Sequence, residues 1–137
     1  MALLERLTDV PGVAPGNRYA HAVTVTGRLA FVAGQVGMDA TGAVVGAGDA
    51  GAQTAQALAN LGRVLDSLGA TWSDVVKFGW YVRDVGDLQA VRDARDSALR
   101  SGGAPEEAIP ASTLVQVAGL FRPEFLVEVD AVVALPD

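Results

Sequence analysis

The feature that most constrains this chain is a change of hydrophobic period near its middle. Residues 49–68 place one face of side chains at three- and four-residue steps: Thr54, Ala57, Leu58, Leu61, Val64, Leu65 and Leu68. This spacing predicts an α-helix, and Gly69 suits its end. In residues 74–83 the period becomes two, with apolar side chains at alternate positions: Val76, Phe78, Trp80 and Val82. The change predicts a β-strand that packs against a helical layer.

The flanking segments repeat both patterns. Helical spacing returns in residues 84–100 and stops at Gly102-Gly103. Four more strands are predicted, at residues 19–25, 29–36, 113–118 and 125–134. The first two flank the turn signal Thr26-Gly27-Arg28 and predict a β-hairpin, while the status of residues 43–45 stays open. Residues 1–137 therefore predict one α+β domain with a mixed sheet and two helices on one face.

Composition excludes several classes of function. The chain has no cysteine, which excludes disulfides, thiolate zinc sites and cysteine nucleophiles. Ten Lys and Arg against 16 Asp and Glu give a formal net charge of −6, which argues against a nucleic-acid partner. Charged residues interrupt every candidate membrane span, so we expect a cytoplasmic protein with no membrane partner. We also expect no metal and no cofactor.

The apolar content of the chain bears on its assembly. Hydrophobic residues make up 50% of the sequence, which is high for a small monomer whose surface must be largely polar. Partner subunits would cover part of this apolar surface. We therefore expect a homo-oligomer.

A series of short motifs follows one order between residues 16 and 134. The segments are Tyr19-Ala20-His21-Ala22-Val23, Ala33-Gly34-Gln35-Val36, Asp74-Val75-Val76-Lys77, Tyr81-Val82-Arg83-Asp84, Pro110-Ala111-Ser112-Thr113 and Val127-Glu128-Val129-Asp130-Ala131. Four of them resemble the Tyr-Ser-(Gln/His)-Ala-Val, Ser-Gly-Gln-Ile, Pro-Ala-Arg-Ser and Ile-Glu-Ile-Glu-Ala motifs of the Rid superfamily (YjgF type). The resemblance covers nearly the whole chain.

This resemblance implies a homotrimer with a chorismate-mutase-like fold and three ligand clefts between adjacent subunits. Family members hydrolyse reactive enamines and imines to a 2-keto acid and ammonia, so the chain resembles a small-molecule hydrolase of the deaminase type. A non-catalytic trimer that binds a metabolite in the same clefts is the alternative. Ribonuclease activity, an older family label, is disfavoured because one histidine and an acidic surface suit a phosphodiester poorly.

The resemblance also assigns candidate site residues. It places Tyr19 at the cleft as a hydroxyl donor, Glu128 as the acid that positions or activates water, and Gly34 where the backbone holds the ligand. The alternatives are a packed strand residue for Tyr19, a sheet-edge or interface carboxylate for Glu128, and a turn or bulge glycine for Gly34. His21, the only histidine, shares a strand face with Tyr19 and either shuttles a proton or packs without a chemical role. Asp130 shares a face with Glu128, near enough that burial would raise one carboxyl pKa.

The chain departs from the family pattern at Ser112. In imine-hydrolysing members the arginine of Pro-Ala-Arg-Ser binds the substrate carboxylate through two parallel hydrogen bonds, which a hydroxyl cannot reproduce. We therefore expect a substrate that differs from small 2-imino acids. Arg18 and Arg122 are the candidates to replace the missing cation, and the alternative is that both are solvated surface residues.

Overall fold

The computed structural model describes residues 3–136, which form six strands and two helices. The strands are β1 (Leu3–Leu7), β2 (Ala22–Val25), β3 (Leu29–Val36), β4 (Val75–Val82), β5 (Ala111–Gln116) and β6 (Val127–Ala134). The helices are α1 (Ala50–Leu68) and α2 (Leu88–Ser101). Single 3₁₀ turns, Trp72–Asp74 and Val85–Asp87, lead into β4 and α2.

The main sheet is mixed and has the strand order β3-β6-β4-β5. β6 pairs antiparallel with both β3 and β4, while β4 pairs parallel with β5. A parallel pair needs a long crossover, and α2 supplies it. β1 and β2 form a separate antiparallel pair, and a parallel bridge between Ala20 and Ala111 connects this part of the chain to β5. The predicted mixed sheet with two helices on one face is confirmed.

One apolar layer between the helices and the sheet forms the core. α1 begins after Asp49, whose carboxylate accepts from the Ala52 N–H at 3.0 Å, and ends at Gly69 in the left-handed conformation (φ 69°). The helix buries the leucines at 58, 61 and 65, as its spacing predicts. The sheet contributes buried side chains from its two central strands: Phe78, Trp80, Val82, Val127 and Val129.

The predicted β-hairpin is wrong, because β2 and β3 belong to different sheets. A turn signal fixes a change of direction, but the pairing partner depends on which strands bury apolar faces together. β3 pairs with the apolar strand β6, and β2 pairs with β1, which the sequence patterns did not predict. Residues 43–45 form no strand beyond one bridge between Val44 and Met38.

The helices of residues 3–136 are either too short or too polar to cross a bilayer. The cytoplasmic location expected from composition stays a prediction.

Candidate functional site

Strand register separates the candidate residues onto two faces of the sheet. Ser112 is paired with Phe78 across β4 and β5, and Phe78 is buried beneath the helices. Glu128 is paired with Tyr81, and both point away from the helices because their neighbours along each strand are buried. In one chain, Ser112 and Glu128 therefore lie on opposite faces of the main sheet.

The helix-side face contains a cavity of about 300 Å³, here called the α2 cavity. Its lining residues come from four parts of the chain, the segment before β2, β4, α2 and β5: Asn17, Tyr19, Trp80, Leu88, Val91, Arg92, Arg95, Ser112 and Leu114. The volume is at the lower limit of small-molecule binding sites. The structure thus brings Tyr19 and Ser112 into one cavity.

Tyr19 and His21 form an edge-to-face aromatic pair with ring centroids 5.6 Å apart. The backbone N–H of His21 donates to the Leu7 carbonyl at 2.8 Å, which fixes this segment against β1. The His21 Nε2 atom is buried and has no hydrogen-bond partner. His21 thus contacts the ring of a cavity residue without lining the α2 cavity itself.

Arg95 brings a charge to the α2 cavity from the helix side. The residue is buried, with 9% of its surface exposed. Its Nε donates to the Asp96 carboxylate at 2.9 Å, and its buried Nη2 has no hydrogen-bond partner. The Trp80 Nε1 is a second buried donor without a partner in the lining of the same cavity. Two donors that lack acceptors indicate a site prepared for an acceptor.

Arg18 lies at the margin of this region in an unusual backbone conformation. Its φ of 57° is left-handed, which is strained for a residue with a side chain. Its guanidinium pairs with Asp96 at 3.4 Å and with the exposed Glu106 at 4.0 Å. Arg18 lines a smaller cavity of about 50 Å³ that shares Arg95 and Ser112 with the α2 cavity. The positive charge of Arg18 is therefore already paired with two carboxylates rather than directed at the α2 cavity.

The opposite face of the sheet carries the outer-face cluster, formed by Glu128, Asp130 and Tyr81. The Tyr81 hydroxyl donates to the Asp130 carboxylate at 2.9 Å, and this bond raises the pKa of Tyr81. Burial raises the pKa of the Glu128 carboxyl, and the negative charge of Asp130 raises it further. Glu128 therefore holds a proton more readily than an ordinary glutamic acid and is a stronger base when ionised.

Gly34 makes room for Glu128. The β3–β6 ladder shifts register between Val32 and Gln35, and Gly34 lies in this irregularity. A Cβ atom at Gly34 would lie 2.5 Å from the Glu128 Oε2. Only glycine allows the carboxylate to lie against the backbone here. The structure thus joins Gly34 to Glu128, on the face opposite Tyr19.

Arg122 occupies a third location. Its Nη1 donates to the Gly42 carbonyl at 3.0 Å, and the guanidinium lies over the rings of Phe121 and Phe125. It lines neither of the cavities that contain Ser112. Within a single chain, these contacts hold Arg122 away from the other candidate residues.

Sequence reasoning missed Arg95 as a site residue and gave Trp80 only as a residue of the core or of a trimer interface. The signal was present in α2, where Arg95 continues the apolar series Leu88 and Val91 at a four-residue step. A charged residue at a core-facing helix position is seldom buried without a partner. No group of three or more His, Asp or Glu side chains suited to a metal occurs in residues 3–136.

The comparisons with known proteins cover most of the chain. The family model described as Endoribonuclease L-PSP matches residues 11–135. A RutC family protein of Synechocystis is 37% identical over 124 residues, 90% of each chain. Human 2-iminobutanoate/2-iminopropanoate deaminase is 31% identical over 122 residues, covering 88% of this chain and 84% of the human protein. A Rid family protein of Yersinia pestis superposes with a TM-score of 0.81 at 35% identity, covering 95% and 98%.

Proposed function

Because this chain belongs to the Endoribonuclease L-PSP family, the YjgF or Rid family, we propose that it hydrolyses reactive imines or enamines. The observation that carries the proposal is Glu128, a partly buried carboxylate that lies against Gly34 and has a raised pKa. A base of this kind activates water near neutral pH better than an exposed carboxylate does. The 31% identical human relative is named as an imine deaminase, which supports the same class of reaction.

In the proposed reaction, ionised Glu128 accepts a proton from water while the oxygen attacks the C=N carbon. The C=N π electrons move to nitrogen, which takes up a proton, and a carbinolamine forms. The carbinolamine then gives its hydroxyl proton to Glu128, and Glu128 passes a proton to the nitrogen as the C–N bond breaks, so ammonia and a keto compound leave. The Tyr19 hydroxyl or backbone N–H groups stabilise the charge that develops, and His21 is the candidate to move a proton.

We propose a homotrimer with clefts between subunits as the form in which this reaction occurs. Tyr19 and Ser112 lie on one face of the sheet and Glu128 on the other, so a cleft that contains all three needs two copies. The outer face also exposes apolar surface, including Phe31 with 78% and Val115 with 45% of their surface exposed. Exposed apolar surface of this kind is typical of a face that a partner covers.

A non-catalytic trimer that binds a metabolite is the alternative, and Ser112 favours it. Without an arginine at this position, small 2-imino acids lose their two-pronged carboxylate contact. We therefore propose that the substrate differs from 2-iminobutanoate and 2-iminopropanoate. RNA cleavage is a weaker candidate, because Glu128 and Asp130 present negative charge where a phosphodiester would have to bind.

A panel of imines tests the proposal. An amino-acid oxidase generates imines with short, branched, aromatic and acidic side chains, and semicarbazide traps whatever remains unhydrolysed. We expect the protein to reduce trapping strongly for at least one larger imine and weakly for 2-iminobutanoate. Ligand binding with no acceleration for any imine would instead establish the non-catalytic alternative.

A further inference from the structure

We propose that Arg95 is the anion-binding residue of the α2 cavity and that it holds a carboxylate of the substrate. This inference rests on the proposed function for the identity of the substrate, but the binding site itself stands on separate observations. It adds the chemical class of the ligand, a compact organic anion, and the group that recognises it.

The first observation is that the Arg95 guanidinium has an N–H donor group without an acceptor. A guanidinium has five N–H donors, and one of those in Arg95, on Nε, is bonded to Asp96 at 2.9 Å. The Nη2 atom of the same group is buried and has no hydrogen-bond partner. A buried charged donor without an acceptor is destabilising, so its retention in the fold points to a ligand that completes it.

The second observation is the rest of the cavity lining. Trp80 supplies another buried donor without a partner, and Arg92 supplies a second guanidinium. The residues that line the cavity, all within the described chain, include no carboxylate. The chain as a whole has a formal net charge of −6, so a cavity with two arginines is a local exception. Asp96 offsets one of these two charges through its bond to Arg95, and the remaining positive charge favours an anion.

The position of Arg95 explains why Ser112 is tolerated. Both residues line the α2 cavity, Arg95 from the helix and Ser112 from the edge strand β5. A guanidinium from the helix binds a carboxylate at a different point of the cavity from a side chain at 112, which suits a substrate of another size or shape than the small 2-imino acids. The Ser112 hydroxyl is then free to bond a neutral group. An arginine at 112 would add a third positive charge beside Arg92 and Arg95.

Binding of a stable carboxylate tests this assignment. Isothermal titration calorimetry compares 2-oxobutanoate with butanone, its uncharged counterpart, on wild type, Arg95→Met, Arg95→Lys and Arg63→Met. Wild type is expected to bind 2-oxobutanoate and not butanone. Arg95→Met is expected to weaken binding about 30- to 100-fold, and Arg95→Lys about tenfold because a single ammonium lacks the fork. Arg63→Met, an exposed site on α1, removes the same charge and is expected to bind like wild type.

A second readout keeps the test decisive if Arg95→Met fails to fold. The indole N–H resonance of Trp80, distinguished from that of Trp72 with a Trp72→Phe variant, is expected to shift with 2-oxobutanoate and to stay in place with butanone. An unmoved Trp80 resonance, no binding by wild type, or equal binding by folded Arg95→Met would each overturn the assignment.

Turnover distinguishes this inference from the proposed function. Carboxylate binding that depends on Arg95, without imine hydrolysis, would contradict only the hydrolase. Imine hydrolysis by Arg95→Met at the wild-type rate would contradict only the role of Arg95.

Discussion

The two faces of the sheet differ in what they lack. The α2 cavity has donors and positive charge, with Arg95 and Trp80 both missing acceptors. The outer-face cluster has acceptors and negative charge, and its carboxylates Glu128 and Asp130 raise the pKa values around them. One face is suited to hold an anion and the other to take a proton from water. An imine hydrolase needs both a group that holds the substrate and a base that activates water, and each face supplies one of the two.

Because the two groups lie on opposite faces, they can meet in one cleft only if subunits assemble. The main sheet itself separates the two half-sites within one chain, so no side-chain motion inside a subunit unites them. Packing the outer face of one copy against the margin of the α2 cavity of another would place the base of one subunit beside the anion of a substrate held by its neighbour. Activity would then depend on the interface as much as on either face.

Glu128→Gln is expected to have the largest effect, because it removes the base while retaining the shape of the side chain. We expect kcat to fall about 100-fold, a usual size for a lost general base, with little change in 2-oxobutanoate binding. Steady-state kinetics on the best imine of the panel measures the fall. Glu124→Gln, an exposed glutamate before the same strand, is the matched control and is expected to keep full activity. Unchanged turnover in Glu128→Gln would move water activation to another group.

Much of this fold was predictable, because hydrophobic period reports directly on which face an element buries. The series through Leu58, Leu61 and Leu65 predicted α1 nearly to the residue, and alternation predicted β4. The pairing of β2 with β1 was not predictable in this way, since pairing is a long-range choice. The placement of Ser112 and Glu128 on opposite faces of the sheet likewise depends on the register of β5, β4 and β6, which a local sequence pattern cannot predict.

Mixing two inactive variants tests whether the half-sites meet between subunits. Glu128→Gln and Arg95→Met are expected to be nearly inactive alone. The two variants are then refolded together in equal amounts to form mixed cyclic trimers. A cleft is intact when the subunit that supplies Glu128 and the neighbour that supplies Arg95 are both unchanged at those positions, which holds for about a quarter of the clefts. We therefore expect about a quarter of wild-type activity to return. Light scattering first establishes that the species is a trimer.

The control for mixing uses two changes on one half-site. Arg95→Met and Tyr19→Phe both alter the α2 cavity, so every cleft takes its helix side from a subunit that carries one of the two changes. This mixture is expected to recover nothing. A monomeric protein, or equal recovery in both mixtures, would contradict a cleft shared between subunits.

Ser112→Arg is expected to have a smaller effect that depends on Arg95. In the Arg95→Met background the new guanidinium supplies the missing cation, and we expect kcat/KM for 2-iminobutanoate to rise about tenfold. In the wild type the same change brings like charges together and is expected to give little gain. Equal gains in both backgrounds would mean that the two positions act on separate groups.

The smallest expected effect is a shift in pH dependence within the outer-face cluster. Glu128 acts when ionised, so kcat/KM is expected to fall as the pH drops through its raised pKa, above the range of an ordinary glutamic acid. Asp130→Asn removes the second cause of that elevation and leaves the first, burial. The acid limb should therefore move only part of the way to lower pH, and kcat/KM at pH 5 should rise about two- to threefold.

Thermal unfolding gives the same carboxyl an independent readout with a definite sign. Because the pKa of Glu128 is raised on folding, its ionised form destabilises the fold; this destabilisation is absent below the unfolded pKa and complete above the folded one. Glu128→Gln removes it, so its Tm should exceed that of wild type at neutral pH and the difference should vanish at about pH 4. In an Asp130→Asn background burial still raises the Glu128 pKa, so adding Glu128→Gln should still raise the Tm at neutral pH, but by less than in the wild type. A Tm difference independent of pH would place the change in packing rather than in the charge of Glu128.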